Sequence, residues 1–314
     1  MRVSWSPGYE VPLPEGHPFP MPKFTALRRI LEDEGLLRPQ DVVEPDEAPL
    51  DDLRLIHDEA YVRALATGTL SAKAERRLGL PWSPQLLRRS RLAVTGTLNA
   101  ARMALADGIA ANLAGGTHHA CPDRGEGFCV FNDVGIAIRR LQGEGRVRRV
   151  LIVDLDVHQG NGNAIVFGPG APDGGDPDVF TMSMHGAKNF PIRKPASDLD
   201  VPLPDGMHDE AYLDLLQRNL PAAIDQSRPE LVFYLAGVDP VVGDRYGRLR
   251  MTRAGIHQRD GLVLETMRQR GLPVTMLLSG GYARTPEATA DLHAISHREA
   301  ARVFVRERAR LRLV

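Results

Sequence analysis

The chain has 314 residues, 43% of them hydrophobic and 25% charged, with 39 basic and 40 acidic side chains and a net charge of -1. That balance argues against a nucleic-acid-binding or polybasic membrane-binding protein, and no apolar run is long enough to span a bilayer. Two cysteines, Cys121 and Cys129, are too few for a disulfide framework, so a reduced, cytoplasmic chain is expected.

Six prolines within residues 1–22 leave room for a short first strand followed by loop, and Glu10 and Glu15 do not suit a secretory signal. Residues 23–37 repeat apolar side chains at helical spacing (Phe24, Leu27, Ile30, Leu31), and a second helix begins at His57. Ser83-Pro84 is a helix start, with Ser as N-cap and Pro in the first turn of a long helix marked by Leu87, Val94, Leu98 and Leu105. From there strands and helices alternate. Strands are expected at 109–113, 147–153, 179–184, 231–236 and 274–278, with helices at 132–144, 209–226 and 252–270 and a C-terminal helix rich in Arg and Glu. This alternation predicts an α/β fold with a mostly parallel sheet, helices on both faces and no linker, so 1–314 is expected to form a single domain.

Chemistry collects where the strands end. One ends in Gly115-Gly116-Thr117-His118-His119, the next in Asp154-Leu155-Asp156-Val157-His158-Gln159-Gly160-Asn161-Gly162, and two more in Gly237-Val238-Asp239 and Ser279-Gly280-Gly281-Tyr282. In parallel sheets ligands bind beyond the carboxyl ends of the strands. On an extended backbone Asp154, Asp156 and His158 leave one face of the strand, and buried charge of this density calls for paired groups or a metal. Asp156, His158 and Asp239 make a three-ligand set with open positions, as in catalytic zinc sites, and Fe(II) would also accept it. Each of these residues alone is more often an ordinary core or capping group; only the joint pattern points to a metal.

Adjacent histidines suit two separate orienting partners better than one metal, and Asp154 and Asn161 flank the ligand pair. A carboxylate partner would raise one imidazole pKa and keep it cationic, whereas an amide would perturb the other less. Tyr282, on a glycine hinge, could polarise a carbonyl opposite a metal. Gly127 and Phe128 offer a close-approach apolar wall suited to a linear alkyl chain.

Together these segments, with Gly127-Phe128-Cys129, Asn132-Asp133 and Ala236-Gly237-Val238-Asp239-Pro240, resemble the zinc-dependent histone deacetylase family, which shares its fold with arginases. The resemblance implies one arginase/deacetylase-type domain with an eight-stranded parallel sheet. It implies Zn(II) on Asp156, His158 and Asp239, and an acid/base pair with His119 as principal base and His118 as electrostatic partner. Asp154 and Asn161 would orient that pair, and Tyr282 would polarise the scissile carbonyl. It also implies a structural K+ near Asp154, Asp156, His158, Ser183 and Met184, and an acyl-lysine channel lined by Gly127, Phe128 and Phe190. The implied activity is hydrolysis of an acyl group from the lysine side chain of a protein or peptide. Deacylation of small acylated amines such as acetylpolyamines is the alternative, and an inactive acyl-lysine-binding module is a third reading. Gln159 and Asn161 depart from the best-known nuclear members, while Asn189-Phe190-Pro191-Ile192-Arg193-Lys194, Ser197-Asp198-Leu199-Asp200 and Leu80-Pro81-Trp82-Ser83 resemble class IV-like deacetylases and their bacterial relatives. No acid that could grip a substrate backbone appears around residues 78–82.

Overall fold

The computed structural model describes residues 1–305. Eight strands form one all-parallel sheet: β1 (Val3–Ser4), β2 (Val42–Val43), β3 (Ile109–Asn112), β4 (Val150–Asp154), β5 (Val179–Gly186), β6 (Leu199–Leu203), β7 (Leu231–Leu235) and β8 (Val274–Leu277), in the spatial order β2-β1-β3-β8-β7-β4-β5-β6. Every residue of β3, β4, β7 and β8 is buried, which is why these strands read as continuous apolar runs. Helices α1 (Lys23–Asp33), α2 (Leu50–Leu53), α3 (Glu59–Thr67), α4 (Ala72–Leu78), α5 (Pro84–Asp107), α6 (Asp133–Gly143), α7 (Asn161–Phe167), α8 (Asp209–Ser227), α9 (Arg253–Gln269) and α10 (Pro286–Ala300) make the connections.

The Ser83 hydroxyl caps α5 by accepting from Leu86 N at 3.0 Å, with Pro84 in the first turn and left-handed Gly108 ending the helix. The C-terminal helix runs through α10 into a wider turn at Ala301–Val305; the remainder of that expectation, residues 306–314, lies outside the described residues.

Several elements escaped the periodicity. β2 has two residues, too few to show a period; β1, equally short, is the first strand expected before the proline-rich loop. β6 carries Asp200 and Pro202, and Pro is tolerated because β6 is an edge strand. α7 opens on Asn-Gly-Asn, residues of low helix propensity.

One expectation is overturned. The strand does not extend through His158: β4 stops at Asp154, and the chain bends at 156–158. Asp156 and His158 therefore do not share the face of a strand. They are turned together because the Asp156 carboxylate accepts from His158 N at 2.9 Å, while Asp156 N donates back to Asp154 Oδ1 at 3.1 Å.

The sheet order places the site. β3, β8, β7 and β4 are neighbours in its middle, and the loops leaving their carboxyl ends carry the histidine pair, Tyr282, Asp239 and the Asp156/His158 bend.

Candidate active site

Asp156, His158 and Asp239 converge so that one ligand atom from each lies within 4.8 Å of the others. His158 Nδ1 is 3.1 Å from Asp156 Oδ1 and 3.2 Å from Asp239 Oδ2. The remaining carboxylate oxygens are held from behind. Asp156 Oδ2 accepts from Ser279 Oγ (2.8 Å) and Gly280 N (2.6 Å), and Asp239 Oδ1 accepts from Val157 N (2.8 Å). A Cβ on Gly280 would stand 2.2 Å from Asp239 Oδ2, so only glycine lets β8 close this wall.

The donor set fits a divalent cation. Burial and the neighbouring Asp156 charge push Asp239 up to about 7, because two buried carboxylates this close resist ionising together. Burial opposes charge on His158, yet its bonds to the two carboxylates outweigh that and raise it to about 10. A divalent cation held by Asp156, His158 and Asp239 would take the place of these protons and satisfy all three groups.

The histidines lie side by side in a turn, ring centroids 4.1 Å apart, and each has a separate partner. His118 Nδ1 bonds Asp154 Oδ2 at 2.7 Å; His119 Nδ1 bonds Asn161 Oδ1 at 2.6 Å. Burial of His118 is outweighed by the charges of Asp154 and Asp156, and its pKa rises to about 9. The expectation for His119 needs correction. Its amide partner does not leave it little perturbed: burial, then the charges of His118 and His158, hold it well below the ordinary histidine value. It is the neutral member of the pair.

A residue that the sequence reading passed over fixes which nitrogen of His119 carries the proton. Buried Glu126 accepts from Asn161 Nδ2 at 2.6 Å. A carboxylate here can only accept, so the amide must turn its oxygen to His119, whose Nδ1 then donates. His119 Nε2 is left with a bare lone pair. The histidine turn itself is held by Asp133, which accepts from Gly116 N (3.0 Å) and Thr117 N (2.8 Å), and by α7, whose Gly162 N donates to His118 O at 2.8 Å.

Tyr282 stands across the cavity, its backbone N–H donating to Asp244 Oδ2 at 2.7 Å. Burial, followed by the charges of Asp156 and Asp239, raises its phenol well above the usual value, so it remains a donor. Phe128 sits at a positive φ of 67°, after Gly127 at 58°. A Cβ on Gly127 would lie 2.5 Å from the His119 ring, and the left-handed pair turns Phe128 to within 5.8 Å of the Tyr282 ring. Phe190 meets the His119 ring edge-on at 4.9 Å. Ser183 and Met184 are buried on β5, where Ser183 is the register partner of Asp154.

Three buried cations were not anticipated. Lys23 and Arg89 line the same cavity behind the ligand cluster. Burial lowers Lys23 to about 8, and its amine reaches Ser279 O at 3.2 Å. Arg259, fully buried, donates to Gly237 O (2.6 Å) and Leu155 O (3.3 Å) and pairs with Asp260 at 2.8 Å. It thus ties together the two loops that carry Asp156 and Asp239. No sequence signal separates these from the other basic residues, since their roles depend on where α1, α5 and α9 pack. Cys121 and Cys129 are free and buried, and burial raises both thiols. Among the described residues no helix is long and apolar enough to cross a membrane.

The histone deacetylase domain model matches residues 17–297. An uncharacterized protein of Picosynechococcus sp. is 47% identical over 302 residues, covering 96% of this chain and 99% of its own. Histone deacetylase 2 of Arabidopsis thaliana is 34% identical over 278 residues, covering 86% of this chain and 70% of its own. In fold, the chain is similar to the crystal structure of an HDAC homolog complexed with SAHA, with a TM-score of 0.79 at 24% identity, covering 96% of this chain and 84% of that one.

Proposed function

The chain belongs to the histone deacetylase family, and from that membership we propose that residues 1–314 are one catalytic domain, a zinc-dependent amide hydrolase. It would release acetyl or another acyl group from a lysine side chain. The observation that carries this reading is the convergence of Asp156, His158 and Asp239 at a cavity lined by Asp156 and His158 together with His118, His119 and Tyr282.

Asp156, His158 and Asp239 would hold the zinc, which when bound supplies Lewis-acid polarisation of the amide carbonyl and of the attacking water. The chain's own groups account for the proton movements. His119, neutral and with Nε2 bare, takes the proton of the attacking water. His118, kept cationic by Asp154, stabilises the negative charge that develops on the reacting groups as the water attacks and the carbonyl oxygen takes up the electron pair. Tyr282, a phenol that does not ionise, donates to the carbonyl oxygen. The proton held at the histidine pair passes to the leaving lysine nitrogen, so water and amide become amine and carboxylate. Phe128 and Phe190 wall the path of the alkyl chain, and Lys23 and Arg89 offer the carboxylate product positive charge. Asp154, Asp156, His158, Ser183 and Met184 would hold a structural potassium ion, a reading supported by the pairing of β4 with β5 at Asp154 and Ser183.

The test is a panel of acyl-lysine peptides and acylated amines assayed with the zinc-loaded protein. Asp239→Ala is expected to lose both zinc and turnover. Tyr282→Phe is expected to keep zinc and lose about 10²–10³-fold in kcat. Undiminished turnover in Tyr282→Phe would remove its assigned role, and no turnover of any amide would refute the hydrolase.

A further inference from the structure

Two loops, 187–197 and 240–251, pack against side chains that line the cavity and are tied together by Asn189 Nδ2 donating to Tyr246 O at 2.7 Å. Each lays one aromatic ring against a reacting side chain: Phe190 against His119 and Tyr246 against Tyr282, both at 4.9 Å between centroids. Each then turns its neighbouring side chains to solvent. Of the five large exposed apolar side chains among the described residues, four belong to these loops: Phe190 (41% exposed), Ile192 (98%), Val242 (50%) and Tyr246 (36%). An apolar patch collected at one place on a soluble chain marks a contact surface.

The charge of the same loops is one-sided. They carry Lys188, Arg193, Lys194, Arg245, Arg248 and Arg250 against a single acid, Asp244. Asp244 is turned inward, accepting from the backbone N–H groups of Tyr246, Gly247 and Tyr282. Lys194 is committed to the carbonyls of Asn189 and Pro191, while Lys188 and Arg248 share Asp205. Arg193 and Arg245 are exposed and make no ion pair among the described residues; the Arg245 guanidinium lies 5.7 Å from the Tyr246 ring centroid. On the opposite lip, Leu78 O at the end of α4 accepts from Phe128 N and His17 bonds Gly79 O. That lip adds exposed Lys73, Arg76 and Arg77 against half-buried Glu75 and exposed Glu15, with Asp123 paired to Arg124. The chain as a whole carries a net charge of -1, so the positive excess is local to the mouth.

We propose that this basic, apolar rim selects acyl-lysines carried in acidic, apolar-flanked peptide segments, with Arg193 and Arg245 as the specificity-determining charges. The inference rests on the deacylase reading above. A substrate lysine loses its charge on acylation and enters a neutral channel, so discrimination by charge falls to the residues on either side of it. Those residues meet the rim, where carboxylates are attracted and Lys- or Arg-rich flanks are repelled. An acylated polyamine brings further ammonium groups to the same place and finds no carboxylate turned outward on the two loops to receive them.

The experiment compares kcat/KM of the zinc-loaded full chain for capped peptides sharing one acetyl-lysine, with acidic-apolar, neutral or basic flanks, and for an acetylated polyamine, at low and high ionic strength. The expected result is an acidic-over-basic preference of about tenfold at low salt that shrinks at high salt. Arg193→Glu/Arg245→Glu is expected to abolish or invert it, and a control of equal charge change away from the mouth, Arg29→Glu/Arg218→Glu, to retain it. Equal use of all peptides, a preference unmoved by the rim variant, or the polyamine as best substrate would each overturn the proposal while leaving the hydrolase standing. No turnover of any amide would refute the hydrolase and this inference with it. Binding to phosphatidylcholine–phosphatidylglycerol vesicles that the rim variant loses, without any peptide preference, would assign the rim to an anionic lipid surface instead.

Discussion

The floor and the rim of the cavity are built from the same chain on opposite principles. At the floor, the Asp156 and Asp239 oxygens, the Nδ1 atoms of His118 and His119 and the Asn161 amide are each held by another group of the protein. At the rim, Arg193 and Arg245 stand in solvent beside Ile192 and Val242. A floor of that kind fixes geometry, because a buried polar group that moves loses hydrogen bonds that water cannot replace. A rim of the second kind tolerates substitution and acts through screened charge. Reaction type is therefore expected to reside in the floor and substrate choice in the loops.

The largest effect that would break this contrast is at Arg259. Arg259→Met leaves Asp260 buried without its counter-charge and releases the carbonyls of Leu155 and Gly237. A loss of about 3–5 kcal/mol in chemical denaturation is expected, together with weaker zinc affinity by competition with a chelator. Arg193→Glu at the rim should stay within about 0.5 kcal/mol of the parent. Equal stability of the two variants would mean that the floor is not braced as described.

Next in size is the coupling of His118 to Asp154. A folded pKa of about 9 lies above the ordinary value of about 6.5, so the folded state binds the proton more tightly than the unfolded chain. The resulting stabilisation is complete below about pH 6.5 and is lost as pH rises through about 9. Denaturation of the parent and Asp154→Asn across this window should show a stability gap that is widest at the acid end and narrows toward the alkaline end. A gap that widens with pH would contradict a cationic His118.

The finest distinction concerns Glu126. Glu126→Gln supplies a donor as well as an acceptor and no longer dictates which way Asn161 faces. About a tenfold fall in kcat/KM is expected, with zinc content unchanged. A nitrogen-15 spectrum of the His119 ring should show Nδ1–H in the parent and mixed tautomers in the variant; an unchanged tautomer would locate the control elsewhere.

The metal-capable and histidine positions could be found in the sequence because they sit at strand ends, where an apolar run stops abruptly at Asp154, at Gly237 or at Ser279. Buried parallel strands have no polar alternation, so the change from apolar to chemical residues marks the edge of the sheet. The pairing of each histidine with its own partner was also accessible, since a tandem pair needs two orienting groups and only Asp154 and Asn161 flank the ligands. Other features were decided by tertiary structure. Asp156 and His158 meet through a hydrogen-bonded bend and not through strand alternation. His119 is held neutral by burial that no residue count reveals. Lys23, Arg89 and Arg259 are indistinguishable from surface cations until α1, α5 and α9 turn them inward. Composition and periodicity set which segments are strand and which residues end them; desolvation and the packing of helices distant in sequence set what charge those residues carry.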